Sequence, residues 1–306
     1  MARHFYLPLL RGHAGLAMVG VADLNAPAAQ VLARDLSCTV ASTAELLDKV
    51  DLLLITTPPA SHYLLARQAL EAGVEVVMEK PFVVTLAQAE DLVSIARRQG
   101  RRLSVAHFRR CYPKLQLARE IVRSGLIGPI VGLGAFEGGK FGWGTSSGYV
   151  GRDPAGGVLL DTGSHTLDMA LFAAGLDESE FAVRARAVAR DKPEPAHEVD
   201  ARFELALSDR VVSGRIFVSR TQALANLVRL QGKKGWLEFG VGPAGPVRVE
   251  GPDGGFLANP TALPGTEVDA FAAQYADILS GVDNSTFAAH RFVGQIKILD
   301  RLLHHE

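Results

Sequence analysis

The chain has 306 residues, 32 Lys and Arg against 33 Asp and Glu, a net charge of −1 and 48% hydrophobic residues. That balance supplies no basic stripe for nucleic acid or a membrane surface, and no apolar run reaches transmembrane length. Two distant cysteines, Cys38 and Cys111, exclude a disulfide framework and fit a reducing, cytoplasmic setting.

Length favours two domains, and the apolar content fills two cores. Internal repeats and low-complexity segments are not evident. The amino terminus is broken by Arg3, His4, Pro8 and Arg11, which is not a signal-peptide pattern.

In chain order, Met1 to Leu10 reads as helix-like sequence. Leu16–Ala22 reads as an apolar strand ending in Asp23, and Ala26–Asp35 as a helix. Cys38–Val40 is a short strand, Thr43–Lys49 a short helix, and Asp51–Thr56 a buried strand. Ser61–Glu71 is a helix after Pro58-Pro59, Val74–Met78 a strand, Thr85–Arg98 a helix and Leu103–Ala106 a strand. Continuous apolar strands alternating with helices predict parallel βαβ units, hence an α/β, doubly wound sheet over residues 1–107.

Glu79-Lys80-Pro81 closes the Val74–Met78 strand. Ligands in open α/β sheets bind beyond the carboxyl ends of the strands. Pro81 stops the ladder, so Lys80 is left at the crevice rather than in the sheet. The plain alternative is a solvated lysine at a strand end.

From residue 108 the pattern changes. Tyr112–Ser124 reads as a linking helix with Pro113 in its first turn. Strands are expected at Ile130–Phe136, Phe181–Ala189, Ala201–Leu207, Val211–Ser219, Leu227–Gln231 and Trp236–Phe239. Their alternation and short turns predict an α+β domain, residues 108–306, with a large, mostly antiparallel sheet. Gly251–Pro264 reads as a loop, and Thr266–Leu279 and Thr286–His304 as closing helices.

Within this half, Gly156-Gly157 leads to Asp161, His165 and Asp168, spaced i, i+4 and i+7. That spacing predicts one helical face, with a carboxylate able to orient a proton-handling imidazole. A surface ion pair or a buried structural histidine is the alternative. Two such ligands without a third do not fill a coordination shell, so no metal is expected.

Five segments together resemble the glucose–fructose oxidoreductase, inositol dehydrogenase and rhizopine catabolism (Gfo/Idh/MocA) family of nicotinamide-dependent dehydrogenases. They are Gly20 to Asp23, Thr57 to His62, Ala72 to Pro81, Phe108-Arg109-Arg110 and Gly156 to Asp168, in the family's order over nearly the whole chain. The resemblance implies that Lys80, Asp161 and His165 are the catalytic lysine, aspartate and histidine.

Hydride transfer from an alcohol requires a base for the hydroxyl proton and a cation for the developing oxyanion. His165 is the candidate acceptor and Asp161 its orienter and a substrate hydroxyl ligand. Lys80 is the cationic contact, with the lysine and histidine roles exchangeable.

The resemblance also places Thr56, Thr57, Pro58 and His62, with Glu79 and Lys80, on the cofactor side. Asp23 is suited to an adenosine ribose diol and repels a 2′-phosphate, favouring NAD, with NADP possible. An Asx turn or helix cap at Asp23 or Asn25 is the competing role. Arg109 and Trp143 are candidate substrate contacts. Their alternatives are a solvated basic pair, Arg109-Arg110, and a glycine-rich loop tucking aromatics into the core.

The resemblance further implies an open mixed sheet whose exposed face serves homo-oligomer assembly. Phe203, Leu205, Val212, Ile216 and Val218 are candidates for that surface, or else for a buried core.

One element of the family is not found. The family begins with a strand and a Gly-x-Gly-x-x-Gly turn that holds the pyrophosphate. Gly12, Gly15 and Gly20 precede or interrupt a strand and do not form that motif. The missing first strand is central in the dinucleotide fold, so a lost or unrecorded N-terminal segment of roughly 15 residues is expected. A chain truly this short would borrow a strand from another subunit or rearrange.

The expected function is an NAD(P)-dependent oxidoreductase acting on a secondary alcohol or ketone of a sugar, cyclitol or related polyol. The alternatives are a noncatalytic relative that binds or assembles, and a lyase or hydrolase using nicotinamide transiently.

Overall fold

Short apolar runs such as Leu52–Ile55 and Val76–Met78 build the first sheet of the computed structural model, which describes residues 5–11, 13, 15–140, 153, 155–179, 181–190, 198–207, 212–281 and 285–304. Its strands are β1 (Gly20–Val21), β2 (Thr39–Val40), β3 (Leu52–Ile55), β4 (Glu75–Glu79) and β5 (Leu103–Ala106). The intervening helices are α1 (Leu7–Arg11), α2 (Ala26–Leu36), α3 (Thr43–Leu47), α4 (His62–Glu71) and α5 (Leu86–Gln99).

β3, β4 and β5 pair in parallel, with Ile55 opposite Met78 and Met78 opposite Val105. β4 is central, and its Val76, Val77 and Met78 are at most 2% exposed. Each such side chain contributes about 1.5–3 kcal/mol on burial. The outer edge of β5 receives Phe287 and Ala288: the Val105 amide donates to the Phe287 carbonyl at 2.9 Å, and Ser104 bridges Ala288.

β1 and β2 form a separate parallel pair, not hydrogen-bonded to β3–β5 among the described residues. The expected strand Leu16–Ala22 is therefore only two residues long.

Helix ends follow local chemistry. Asn25 caps α2 through the Ala28 amide, Ser42 and Glu45 form a capping box on α3, and Thr85 caps α5. The carboxyl end of α5 is closed by Gly100 at φ 61°, a left-handed position that costs glycine little.

The second half begins with α6 (Pro113–Arg123) and adds α7 (Ser164–Ala174), α8 (Glu267–Leu279) and α9 (Val293–His304). Its strands are β6 (Ile130–Gly138), β7 (Phe181–Arg190), β8 (Glu198–Leu207), β9 (Ser213–Ser219), β10 (Leu227–Gly232), β11 (Gly235–Gly240), β12 (Gly245–Glu250) and β13 (Phe256–Leu263). They form one eight-stranded sheet in the order β13-β12-β11-β10-β6-β9-β8-β7. Among the described residues the β6–β9 pair is its one parallel pair.

β13 lies within the stretch expected to be a loop. Its Pro260 suits an edge strand, which has one side without ladder bonds. The expected single helix Thr286–His304 instead breaks into the Phe287–Ala288 edge, a 3₁₀ turn at Ala289–Phe292, and α9.

Phe203, Leu205, Val212, Ile216 and Val218 are at most 3% exposed and belong to the core. Alternation sends these five residues inward, while Arg202, Glu204 and Arg215 on the same strands face outward. The open face lies opposite and carries a groove of about 570 Å³ lined by Gly132, Gly134, Phe136, Gly214, Leu224 and Leu227, among others.

Among the described residues no helix is long and apolar enough to cross a membrane, and no three His, Cys, Asp or Glu side chains gather in a metal-binding cluster.

Candidate active site

Lys80 follows β4, and the Lys80–Pro81 peptide is cis. Its Nζ donates to Asp161 Oδ1 at 2.9 Å and to the Asp161 carbonyl at 3.1 Å. Both side chains are shielded, 11% and 19% exposed. Residues 81 positions apart therefore meet, an amine from the first sheet and a carboxylate from the entry to α7.

Asp161 lies in a π-helical turn, Leu159–Gly163, that precedes α7. Both carboxylate oxygens of Asp161 are engaged, Oδ1 by Lys80 and Oδ2 by Arg220 Nη2, which donates at 3.0 Å. Burial opposes ionisation, but Lys80 and Arg220 outweigh it and hold the carboxyl down to about 2.

Arg220 also donates to the Gly156 carbonyl at 2.9 Å, tying down the glycine pair. A Cβ at Gly157 would lie 1.6 Å from Glu198 Oε2, so a larger residue there requires the Glu198 side chain to move.

His165 sits in the first turn of α7, 7% exposed, with its ring edge-on to Phe108 and His107 at 5.5 and 5.6 Å. Its Nδ1 is buried without a hydrogen-bond partner. Burial, then Arg109, Lys80 and His107, push its pKa well below the usual histidine value. The ring is neutral at pH 7 and able to accept a proton.

Asp168 turns away from this group. Its carboxylate takes the buried Arg110 guanidinium through Nε at 3.0 and 3.1 Å and Nη2 at 2.5 Å, with His107 Nδ1 at 3.5 Å. Arg110 also reaches Asp177 at 3.3 Å and lies over the rings of Phe172 and Phe292. Arg109 is equally unlike a solvated base, because it grips Glu137 with two hydrogen bonds of 2.8 and 3.0 Å. The Thr166 hydroxyl donates to the same Glu137 carboxylate at 2.6 Å.

On the expected cofactor side, Thr56, Thr57 and Pro58 follow β3, beside the Lys80 turn that follows β4. His62 is fully buried, with Nδ1 2.9 Å from the Pro81 carbonyl and Nε2 2.9 Å from the Thr57 carbonyl. Glu79 is buried, accepts from the Tyr6 hydroxyl and from the Lys80 amide at 3.1 Å, and has its pKa raised by burial. Asp23 is exposed beyond β1, and its Oδ1 accepts from the Asn25 amide at 2.8 Å, so the Asx turn and the Asn25 cap are both formed. Trp143 lies outside the described residues.

The structure thus groups Lys80, Asp161 and His165 with Arg109 and leaves Glu79, His62 and Asp168 bonded to protein groups. Sequence reasoning missed Arg220, Glu137, Thr166 and His107. The signal was present in the sheet: β6 and β9 run parallel with Glu137 opposite Val218 and Gly138 opposite Ser219, so Glu137 and Arg220 emerge at the same end.

Known proteins match both halves. Residues 1–107 match the profile of an oxidoreductase family with an NAD-binding Rossmann fold, and residues 115–238 that of a GFO/IDH/MocA C-terminal domain. The uncharacterized oxidoreductase YdgJ of Escherichia coli is 33% identical over 58% of this chain and 52% of its own length. The UDP-N-acetylglucosamine 3-dehydrogenase of Acidithiobacillus ferrooxidans is 34% identical over 34% of this chain and 33% of its own. The chain thus spans about half or less of the curated relatives it matches.

Among solved structures, the aldose-aldose oxidoreductase of Caulobacter crescentus, complexed with glycerol, superposes with TM-score 0.79 at 20% identity, covering 98% of this chain and 92% of that one. KijD10, a 3-ketoreductase from Actinomadura kijaniata in complex with NADP and TDP-benzene, gives TM-score 0.79 at 22% identity, covering 98% and 93%. At these identities the likeness is one of fold.

Proposed function

Because this chain belongs to the GFO/IDH/MocA family of NAD(P)-binding oxidoreductases, we propose that it interconverts a secondary alcohol and a ketone on a sugar, cyclitol or related polyol. The observation that carries this reading is the Lys80–Asp161–Arg220 ion cluster beside a neutral, buried His165.

Residues 1–107 are taken as the cofactor domain and 108–306 as the substrate and assembly domain. The carboxyl ends of β3 and β4 turn out side by side, which fits a nicotinamide and its ribose against Thr56 to Pro58 and Lys80. Asp23, at the end of β1, fits an adenosine ribose, and its negative charge favours NAD over NADP. When bound, the nicotinamide accepts or supplies the hydride.

The protein's own part is proton and charge handling. His165 takes the hydroxyl proton of the alcohol, its neutral form being the one present at pH 7. The Lys80 ammonium, fixed by Asp161, steadies the negative charge developing on the reacting oxygen. Asp161 keeps its carboxylate ionised and offers it to a neighbouring substrate hydroxyl. Arg109, held by Glu137, borders the same space and contributes positive potential toward His165. Burial of these groups in a low-dielectric setting magnifies each effect.

A second reading, a noncatalytic relative, draws on the break between the β1–β2 and β3–β5 sheets, where a doubly wound fold carries its pyrophosphate turn. NADH titration followed by fluorescence separates the two. Binding, with NAD-dependent oxidation of at least one member of a sugar and cyclitol panel, is expected of the enzyme. Failure to bind NADH or NADPH removes the oxidoreductase reading. The open face of the large sheet, with its apolar groove, supports a homo-oligomer built through that face; a monomer by sedimentation equilibrium refutes that part.

A further inference from the structure

We infer that His62 is a positioning residue that ties the Thr56–Pro58 segment to the Lys80-Pro81 turn and thereby fixes Lys80 relative to the cofactor side. The inference rests on the proposed role of Lys80.

The two segments leave β3 and β4 next to each other, since Ile55 stands opposite Met78. Beyond that pair the parallel ladder ends. Pro58, Pro59 and Pro81 have no amide hydrogen, so the backbone has few donors with which to cross-link the two turns. The imidazole takes over that task. Buried at the start of α4, it lies between the Pro81 carbonyl on Nδ1 and the Thr57 carbonyl on Nε2, both at 2.9 Å.

A planar ring with two nitrogens at fixed separation sets the spacing of the two carbonyls more tightly than flexible side chains would. Both partners are carbonyls, which only accept, so the ring closes both turns when doubly protonated and donates to a single carbonyl when neutral. Around it, Ser61 Oγ donates to Thr57 Oγ1 at 2.7 Å and to the Pro58 carbonyl at 2.8 Å, so the first turn is already compact and its joint to the second is His62.

Two amide replacements separate the halves of the clamp. The Asn side-chain nitrogen overlays Nδ1 and keeps the Pro81 contact; the Gln nitrogen overlays Nε2 and keeps the Thr57 contact. Amide hydrogen exchange, read by mass spectrometry on the full chain, reports on each turn without any assay of turnover. His62→Asn should speed exchange in residues 56–61 about tenfold while leaving 80–83 near wild type, and His62→Gln should do the reverse, the size expected for one net hydrogen bond. His62→Ala should speed both.

In kinetics, His62→Gln should lower kcat about tenfold with little change in NADH dissociation constant, whereas His62→Asn should weaken NADH and spare kcat. Unchanged exchange in both segments in His62→Ala, or equal loosening of both in the Asn and Gln variants, overturns the inference. Wild type that fails to bind NADH while the exchange pattern holds defeats the proposed function and leaves the clamp standing.

Discussion

Arg220 and Asp161 offer a closed thermodynamic test of the ion cluster. The guanidinium lies 3.0 Å from one carboxylate oxygen and Lys80 lies 2.9 Å from the other. At an effective dielectric of about 20 each pair is worth roughly 5.5 kcal/mol before desolvation, most of which the loss of hydration offsets. The remainder shows in the carboxyl itself, lowered from 3.8 to about 2. At about 1.36 kcal/mol per pKa unit that is roughly 2 kcal/mol of stability.

Because the folded-state value lies below the unfolded one, this stability is present above about pH 4 and is lost as pH falls toward 2. Arg220→Met should cost about 1–3 kcal/mol in urea unfolding at pH 7, and its double-mutant cycle with Asp161→Asn should return a coupling of about 1–2 kcal/mol. Asp161→Asn should also flatten the loss of stability between about pH 4 and 2. Additive effects of the two substitutions, or an unaltered acid dependence in Asp161→Asn, would refute the cluster as the determinant of the Asp161 carboxyl.

Other outcomes follow from the same geometry. Lys80→Ala should lower kcat at least about a hundredfold through loss of the oxyanion contact, and an unchanged rate would remove Lys80 from the chemistry. With His165 held well below its usual range by burial, Arg109, Lys80 and His107, kcat/KM should stay flat from pH 8 to below 6; removing the Lys80 charge should move the acid limb upward in the residual activity. A wild-type limb near 6.5 would contradict that environment. Asp23→Ser should shift the NAD-to-NADP ratio of kcat/KM toward NADP by about tenfold or more, the size of a relieved charge repulsion, and constant selectivity would free Asp23 of that role.

The parallel strands were legible because a strand buried on both faces is a continuous apolar run, as Val76, Val77 and Met78 show. Alternation likewise announced the large sheet, but not which face is open: Phe203 and Ile216 on one side and Gly132 and Gly134 on the other both look apolar in the sequence. β13 was hidden by Pro260 and the preceding Gly254-Gly255, which an edge hairpin accommodates.

At the site, Lys80 was marked by Pro81, yet its partner lies 81 residues away and no local spacing reveals it. The helical spacing of Asp161, His165 and Asp168 does not announce the cations that take the two carboxylates, Lys80 and Arg220 on Asp161 and the buried Arg110 on Asp168. Arg220 and Glu137 depend on the register of two strands, which is a property of the folded sheet alone.

Arg110 has a mechanical consequence. It grips Asp168 on α7, Asp177 just beyond that helix and the Thr286 carbonyl near the β5 edge, all within one buried knot. The helix that presents His165 is thereby bolted to the chain leaving β5. If the cleft breathes during turnover, the hinge must lie elsewhere, and the imidazole travels with the first sheet rather than swinging away from it.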